Sequence, residues 1–454
     1  MTNKSLLPSN PTPQHPGERW TPRLSLTLTL LFFITVAIHL CWGIYFWTRA
    51  PNNAPKTSLK MTGEAYLACS PGWNTENEGD AAAFNRAACG VLQTGVPRSR
   101  EGAFFDHAPV YAYFLAACYW IGGTRLLSIA IPQALMSGLI GVLLGVAAWR
   151  LARQNRGVAA VIAPLLILAS VRLAGFVGYV NPCCLMVTLF CATFLAATLP
   201  LNLRRTIVFA FMIVLGTYST ASYFLVAAGA AVWLVLTVWR NRRVLGLLCA
   251  VVILGGLSFK IALSMRGGSF PREADRRTLW DCNNPYYENW GWWSLYDIVM
   301  GRPPGPEWRI SETQMRRHAE YLQRARNDPT MAACLWVREN PLQYAKLCFI
   351  RFRAVMGPIT ARMNLPNRIL STAWWLAVFP AGFYGLWKHR KLPVSTFAIL
   401  VILALVSFET LVMAGLQPRY RLPMDMMLVS YASVIYAELA VRWFGRWPVG
   451  TGAG

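Results

Sequence analysis

The chain has 454 residues, 55% hydrophobic and only 14% charged, with 43 Lys and Arg against 20 Asp and Glu, a net charge of +23. So apolar a composition, gathered into runs of about 20 residues, excludes an ordinary soluble domain and fits helices that cross about 30 Å of hydrocarbon. The charge would suit nucleic acid, but much of it sits in short clusters between the apolar runs, the pattern that orients a membrane protein rather than one that binds a polyanion.

In chain order, Pro8 to Pro22 reads as part of a disordered cytoplasmic tail over 1–23. The first span, 24–48, is too long for a removed signal peptide and lacks a small-residue cleavage site, so it is an anchor. Further spans are expected near 126–149, 157–176, 183–201, 206–219, 221–239, 244–264, 369–387, 393–414 and 422–441. With this division the clusters at Arg19/Arg23, Arg150/Arg153/Arg156, Arg204/Arg205, Arg240/Arg242/Arg243, Lys388/Arg390/Lys391 and Arg442/Arg446 all lie in the cytoplasm, as do both termini. Pro109 to Gly122 and the amphipathic Pro341 to Pro358 are then helices at the outer interface. The fold class is an all-α polytopic bundle of about ten spans. It divides into an N-terminal transmembrane module (24–264, with an outer loop at 49–125), a large outer loop (265–368) and a C-terminal module and tail (369–454).

Within the first outer loop, Asp80, Phe84, Ala87, Ala88, Val91 and Leu92 recur at helical spacing, so Asp80 opens an amphipathic helix ending near Gly95. An Asp in that position is ordinarily a cap. Asp106 and His107 follow in the same loop, and a carboxylate with a second acid and a base nearby suits proton abstraction and phosphate handling. Among the eleven cysteines, Cys69, Cys89, Cys282 and Cys334 face an oxidising compartment, with a pairing that spacing does not reveal. Cys41, Cys118, Cys183, Cys184, Cys191, Cys249 and Cys348 read as packing residues. With no Walker loop, CxxC, HExxH or GxGxxG pattern, cytoplasmic nucleotide hydrolysis is not expected. Tyr286, Tyr287, Trp290, Trp292 and Trp293 suit sugar stacking or interface anchoring equally. His318 reads as part of a solvated charged helix, while His39 and Glu409 stand out as ionisable groups inside spans.

Several of these elements, in this order, resemble the GT-C type membrane glycosyltransferases, in particular the protein O-mannosyltransferases and the lipid A aminoarabinose transferase (glycosyltransferase family 39). The similar elements are Asp80 with an aromatic four residues on and Gly fifteen residues on, Phe105-Asp106-His107-Ala108-Pro109, Asp281-Cys282-Asn283-Asn284-Pro285, Glu339-Asn340-Pro341-Leu342-Gln343-Tyr344, and Arg419-Tyr420-Arg421-Leu422-Pro423. The resemblance implies transfer of a hexosyl or pentosyl group from a polyprenyl-phosphate sugar to a hydroxyl of a lipid, glycan or protein at the outer face of the membrane; the Arg/Lys bias and the absence of organelle retention signals suit a bacterial inner membrane, and an endoplasmic reticulum location would look similar. It implies Asp80 as general base with Asp106 in the catalytic set, His107, Arg419 and Arg421 on the donor phosphate, and Tyr286, Trp290, Trp292, Trp293, Asn283 and Asn284 on sugar or acceptor. The chain departs from the family in having Ala81 after Asp80, Asn181-Pro182 where a second acid is usual, and His107 in place of Lys. No cofactor is assigned; Asp106 and His107 could ligate a divalent metal ion, but two candidate ligands do not make a site. Alternatives are a transporter or flippase of lipid-linked glycans, an O-antigen polymerase- or ligase-like enzyme, and a non-catalytic scaffold.

Overall fold

The computed structural model describes residues 20–49, 80–97, 109–123, 125–178, 180–199, 203–219, 223–238, 280, 283, 312–358, 365–412 and 418–444. Among these residues there are fifteen helices and no strand. They are α1 (Pro22–Arg49), α2 (Asp80–Thr94), α3 (Pro109–Gly122), α4 (Leu126–Leu151), α5 (Arg156–Leu168), α6 (Val171–Val177), α7 (Cys183–Ala197), α8 (Leu203–Thr217), α9 (Tyr223–Val238), α10 (Glu312–Arg324), α11 (Pro329–Glu339), α12 (Pro341–Met356), α13 (Leu365–Lys388), α14 (Pro393–Leu411) and α15 (Pro418–Phe444).

Five of these, α1, α4, α13, α14 and α15, are long and apolar enough to cross a membrane. The shorter apolar helices α7, α8 and α9 fall where the sequence predicts spans, and the span predicted at 244–264 lies outside the described residues. The stretch 157–176 is not the single expected span: it breaks into α5 and α6, bent by 60°. Ser170 starts the second piece, its hydroxyl accepting from the Leu173 N–H at 3.5 Å. The break leaves carbonyls at the end of α5 that need donors, since no water can serve them at membrane depth. Trp374 Nε1 bonds the Leu166 carbonyl at 2.7 Å, and His39 Nε2 lies 3.2 Å from that of Leu168 while Nδ1 meets Ser137. His39 is thus a buried structural partner.

The core joins α4, α5, α7, α8, α9, α13, α14 and α15. Phe209, Trp233 and Phe397 pack ring against ring, with centroids 5.4 to 6.0 Å apart, and the Trp233 indole donates to the Pro393 carbonyl at 2.7 Å. Burial identifies α15 as the central helix, with 72% of its apolar window enclosed against 22% for α1, whose Leu26, Leu30, Phe33 and Ile34 face outward. In lipid no hydrophobic force drives one apolar helix onto another, so close contact comes from small residues. Gly385 of α13 shows this: a methyl group there would stand 2.6 Å from the Tyr431 carbonyl of α15.

At one end of the bundle the basic clusters at 150–156, 205 and 388–391 meet, while that at 240–243 lies outside the described residues. Arg150 Nε donates to the Thr198 carbonyl at 3.4 Å, and burial, Lys388 and Arg153 lower the pKa of His389 against the opposing effect of Glu438. Arg156 also lies 5.2 Å over the Trp149 ring, and Trp149 packs edge-on against Trp20.

Replacing Gly385 with Ala is expected to cost about 1–3 kcal/mol by overpacking. Gly157→Ala, where a methyl meets nothing within 4 Å, leaves stability unchanged. Thermal unfolding midpoints in detergent check the contrast.

Candidate active site at the end opposite the basic clusters

α2 runs from Asp80, where the described residues resume, to Thr94, and Gly95 (φ 73°) ends it, as the spacing predicts. Phe84, Ala87 and Ala88 are buried against Tyr111, Ala112, Leu115 and Tyr119 of α3, with Phe84 edge-on to Tyr111 at 5.0 Å. Leu92, expected on this stripe, is instead exposed, while its neighbour Val91 packs against the cluster. The Tyr119 hydroxyl donates to Asn85 Oδ1. Cys89 is disulfide-bonded to a residue outside the described set, whereas Cys334 is a free thiol. The same cluster includes Val180, beside Asn181, whose Oδ1 accepts from the Cys183 N–H at 3.1 Å and so starts α7. The Val110 N–H bonds the Tyr218 carbonyl at 3.0 Å, which ties α3 to the end of α8. Helices from the first outer loop therefore lie over the turns around Asn181 and Ser219. The side chain of Asp80 lies outside the described residues, as do Asp106 and His107 entirely.

The later motif residues converge on α12. Asn340, which precedes it, donates to the Trp336 carbonyl at 2.9 Å and the Tyr321 hydroxyl at 3.0 Å. Tyr344 reaches the Leu411 carbonyl at 2.8 Å. Arg351, fully buried, donates to Asn283 Oδ1 at 3.0 Å and to the Thr410 carbonyl at 3.4 Å, and Asn283 Nδ2 reaches the Val412 carbonyl at 3.3 Å. Asn283 thus clamps the end of α14 to α12. Glu409 is buried beside that clamp, in the same turn as Thr410. Tyr286, Trp290, Trp292, Trp293 and Asn284 lie outside the described residues, as does the side chain of Arg419.

Arg421 is buried and held on three sides. Its Nε bonds Asp425 Oδ1 at 2.8 Å, its Nη1 bonds the carbonyls of Val355 (2.9 Å) and Gly357, and its plane sits 4.2 Å over the Phe379 ring. Nη2 is enclosed without a partner among the described residues. The other oxygen of Asp425 accepts from Arg172 Nη1 at 2.8 Å, so one buried carboxylate is shared by two guanidinium groups. Arg172 and Asp425 were not expected from the sequence pattern. Their signal was present nonetheless: each is an ionisable residue within an apolar run, which must find a partner there.

Among the described residues no three His, Cys, Asp or Glu side chains come together as a metal-binding set. No family model matches the sequence. No curated protein matches it either. Its structure is similar to that of the archaeal oligosaccharyltransferase AglB from Archaeoglobus fulgidus, solved with an inhibitory peptide and a dolichol-phosphate, at a TM-score of 0.51 and 13% identity. The match covers 95% of this chain and 52% of AglB, so the chain spans about half the length of that enzyme. The fold is GT-C-like. With its several apolar helices, the chain is a multi-pass membrane protein.

Within this GT-C-like fold the large loop builds its own small core of Trp280, Tyr321, Ala325, Ala332, Ala333, Trp336 and Leu347. His318, expected on a solvated face, stacks on Trp280 with ring centroids 4.7 Å apart, and burial lowers its pKa. Glu339 closes the loop core: it accepts from Arg324 Nη1 at 3.0 Å and from Tyr321 at 2.9 Å. The Arg324 hydrogen bond, then that of Tyr321, holds its pKa down at about 2.

Two expectations follow from these contacts. Asp425→Ala strands two buried cations and costs about 3–5 kcal/mol, read as a lost or sharply lowered unfolding transition in detergent. For Glu339 the folded pKa lies below the ordinary 4.5, so its contribution is present above pH 4.5 and disappears as pH falls toward 2. Hydrogen exchange over 312–356, corrected for intrinsic rates, is expected to rise across that window, and Glu339→Gln to abolish the pH dependence.

Proposed function

We propose that the protein is a glycosyltransferase that moves a sugar from a polyprenyl-phosphate donor to an acceptor hydroxyl at the outer face of the membrane. The observation that carries this reading is the likeness over 95% of the chain to an oligosaccharyltransferase solved with a dolichol-phosphate. The likeness is one of fold, and the activity is our inference from it. The gathering of both outer-loop systems at one end of the bundle is consistent with a shared site there, and the basic clusters at the other end suit a cytoplasmic surface. By this reading the bilayer is a bacterial inner membrane.

In this reading Asp80 is the general base. It takes the proton of the acceptor hydroxyl as that oxygen attacks the anomeric carbon, while the bond to the donor phosphate breaks and polyprenyl phosphate leaves. Asp106 shares the catalytic loop. His107, Arg419 and Arg421 meet the departing phosphate, whose charge is costly to hold against apolar surroundings without cations. The aromatic group Tyr286, Trp290, Trp292 and Trp293, with Asn284, offers faces and amides to sugar or acceptor. Asn283, engaged by Arg351 and the Val412 carbonyl, belongs to the same proposed contact set.

A second reading has its own observation. A broken helix with charged groups buried beside the break, as at α5, α6 and Arg172, is also how transporters build substrate sites. One experiment separates the two readings. The protein in proteoliposomes is offered a panel of polyprenyl-phosphate sugars with cell-derived acceptors, and release of free polyprenyl phosphate is followed. Transfer is expected, with a fall of roughly 10²- to 10⁴-fold in Asp80→Asn. Turnover untouched by that substitution reduces Asp80 to a helix start, and donor moved across the bilayer without cleavage favours transport.

A further inference from the structure

We propose that Arg172 is a positioning residue: by occupying one oxygen of Asp425, it keeps Nη2 of Arg421 available to the donor phosphate. This rests on the donor reading above and adds to it a residue outside every motif of the sequence.

Arginine and carboxylate prefer a two-pronged pairing, in which Nε and Nη2, which share one edge of the guanidinium, take the two carboxylate oxygens. Arg421 and Asp425, one helical turn apart on α15, are placed to do this, yet they pair through one prong. Nε bonds Oδ1 at 2.8 Å, while Oδ2 is held at 2.8 Å by Arg172. Nη1 is anchored by the Val355 and Gly357 carbonyls, and Phe379 covers one face of the plane. The geometry therefore leaves Nη2 as the one Arg421 nitrogen without a partner among the described residues. A buried guanidinium donor left unbonded is unfavourable, and such a group calls for an explanation. A phosphate oxygen would satisfy it, at the first turns of a long helix whose N-terminal N–H groups also favour an anion.

Arg172 holds its post because the chain breaks just before it. Ser170 starts α6, and the 60° bend carries α6 to α15, while Trp374 and His39 bond the carbonyls that the break exposes. Without Arg172, Oδ2 is released to Nη2, the Arg421–Asp425 pair closes on itself, and the phosphate loses its donor.

The test uses the full-length protein in lipid nanodiscs, titrated with undecaprenyl phosphate and, separately, undecaprenol. The readout is the preference for the phosphate, because general damage weakens both lipids alike. Wild type is expected to prefer the phosphate, and Arg421→Gln to lose roughly tenfold or more of that preference. Arg172→Gln is expected to lose a comparable share with its undecaprenol affinity unchanged. The double variant Arg172→Gln/Asp425→Asn removes the competing carboxylate along with the residue that restrains it, so the preference is expected to return. It also leaves fewer unpaired charges, and its behaviour decides the matter if the single variant does not fold. A full preference in Arg172→Gln, equal weakening of both lipids, or a double variant no better than the single overturns the positioning role while leaving the donor reading in place. An Arg421→Gln protein that still prefers the phosphate overturns the assignment of Arg421 to the donor, and this inference with it.

Discussion

Asp425 accepts from Arg172 through one oxygen and from Arg421 through the other, and three parts of the chain that lie far apart in sequence meet at that carboxylate. Arg172 comes from a short helix after a break, Arg421 and Asp425 from the central helix α15, and the carbonyls of Val355 and Gly357 from the end of α12. Charges at this depth cannot be left to water, so each must be neutralised or bonded by the protein. The demand works as a constraint on assembly: α6, α12 and α15 have to meet at one point, or buried charge is stranded. Apolar packing between these helices is non-directional and does not impose such a register.

The same rule explains the break itself. Interrupting a helix inside an apolar run frees carbonyl groups, and the interruption is tolerable only where neighbouring helices donate to them. Trp374 from α13 and His39 from α1 do so. The cost of bending is met by these two side chains. What the bend achieves is the delivery of a cation to α15.

Outside the apolar runs the stabilising forces change. The large loop holds itself together with a Trp- and Tyr-rich core and a carboxylate gripped by Arg324 and Tyr321, much as a small soluble domain does. It is fastened to the spans by directional bonds, Tyr344 to Leu411, Asn283 to Val412 and Arg351 to Thr410, and by Ile350, Ala354 and Val355, which join the core of the bundle. Such directional contacts set the orientation of the loop on the spans.

Much of the fold was legible in the sequence, because membrane spans are selected on composition and length alone. The apolar runs, helices over 80–94 and 109–122, the end of the first at Gly95 and the start of α12 at Pro341 can all be read from spacing, breakers and caps. The candidate site was legible only in part. Asn283, Asn340, Tyr344 and Arg421 belong to recognisable motifs, but their text does not tell that Asn283 would be clamped by Arg351 or that Arg421 would face inward onto Asp425. Nor do Arg172 and His318 announce their partners, which are 253 and 38 residues away along the chain. Hydropathy is a property of a segment and survives in the sequence. Which buried charge meets which depends on the angle of one helix against another, and only the tertiary structure decides it.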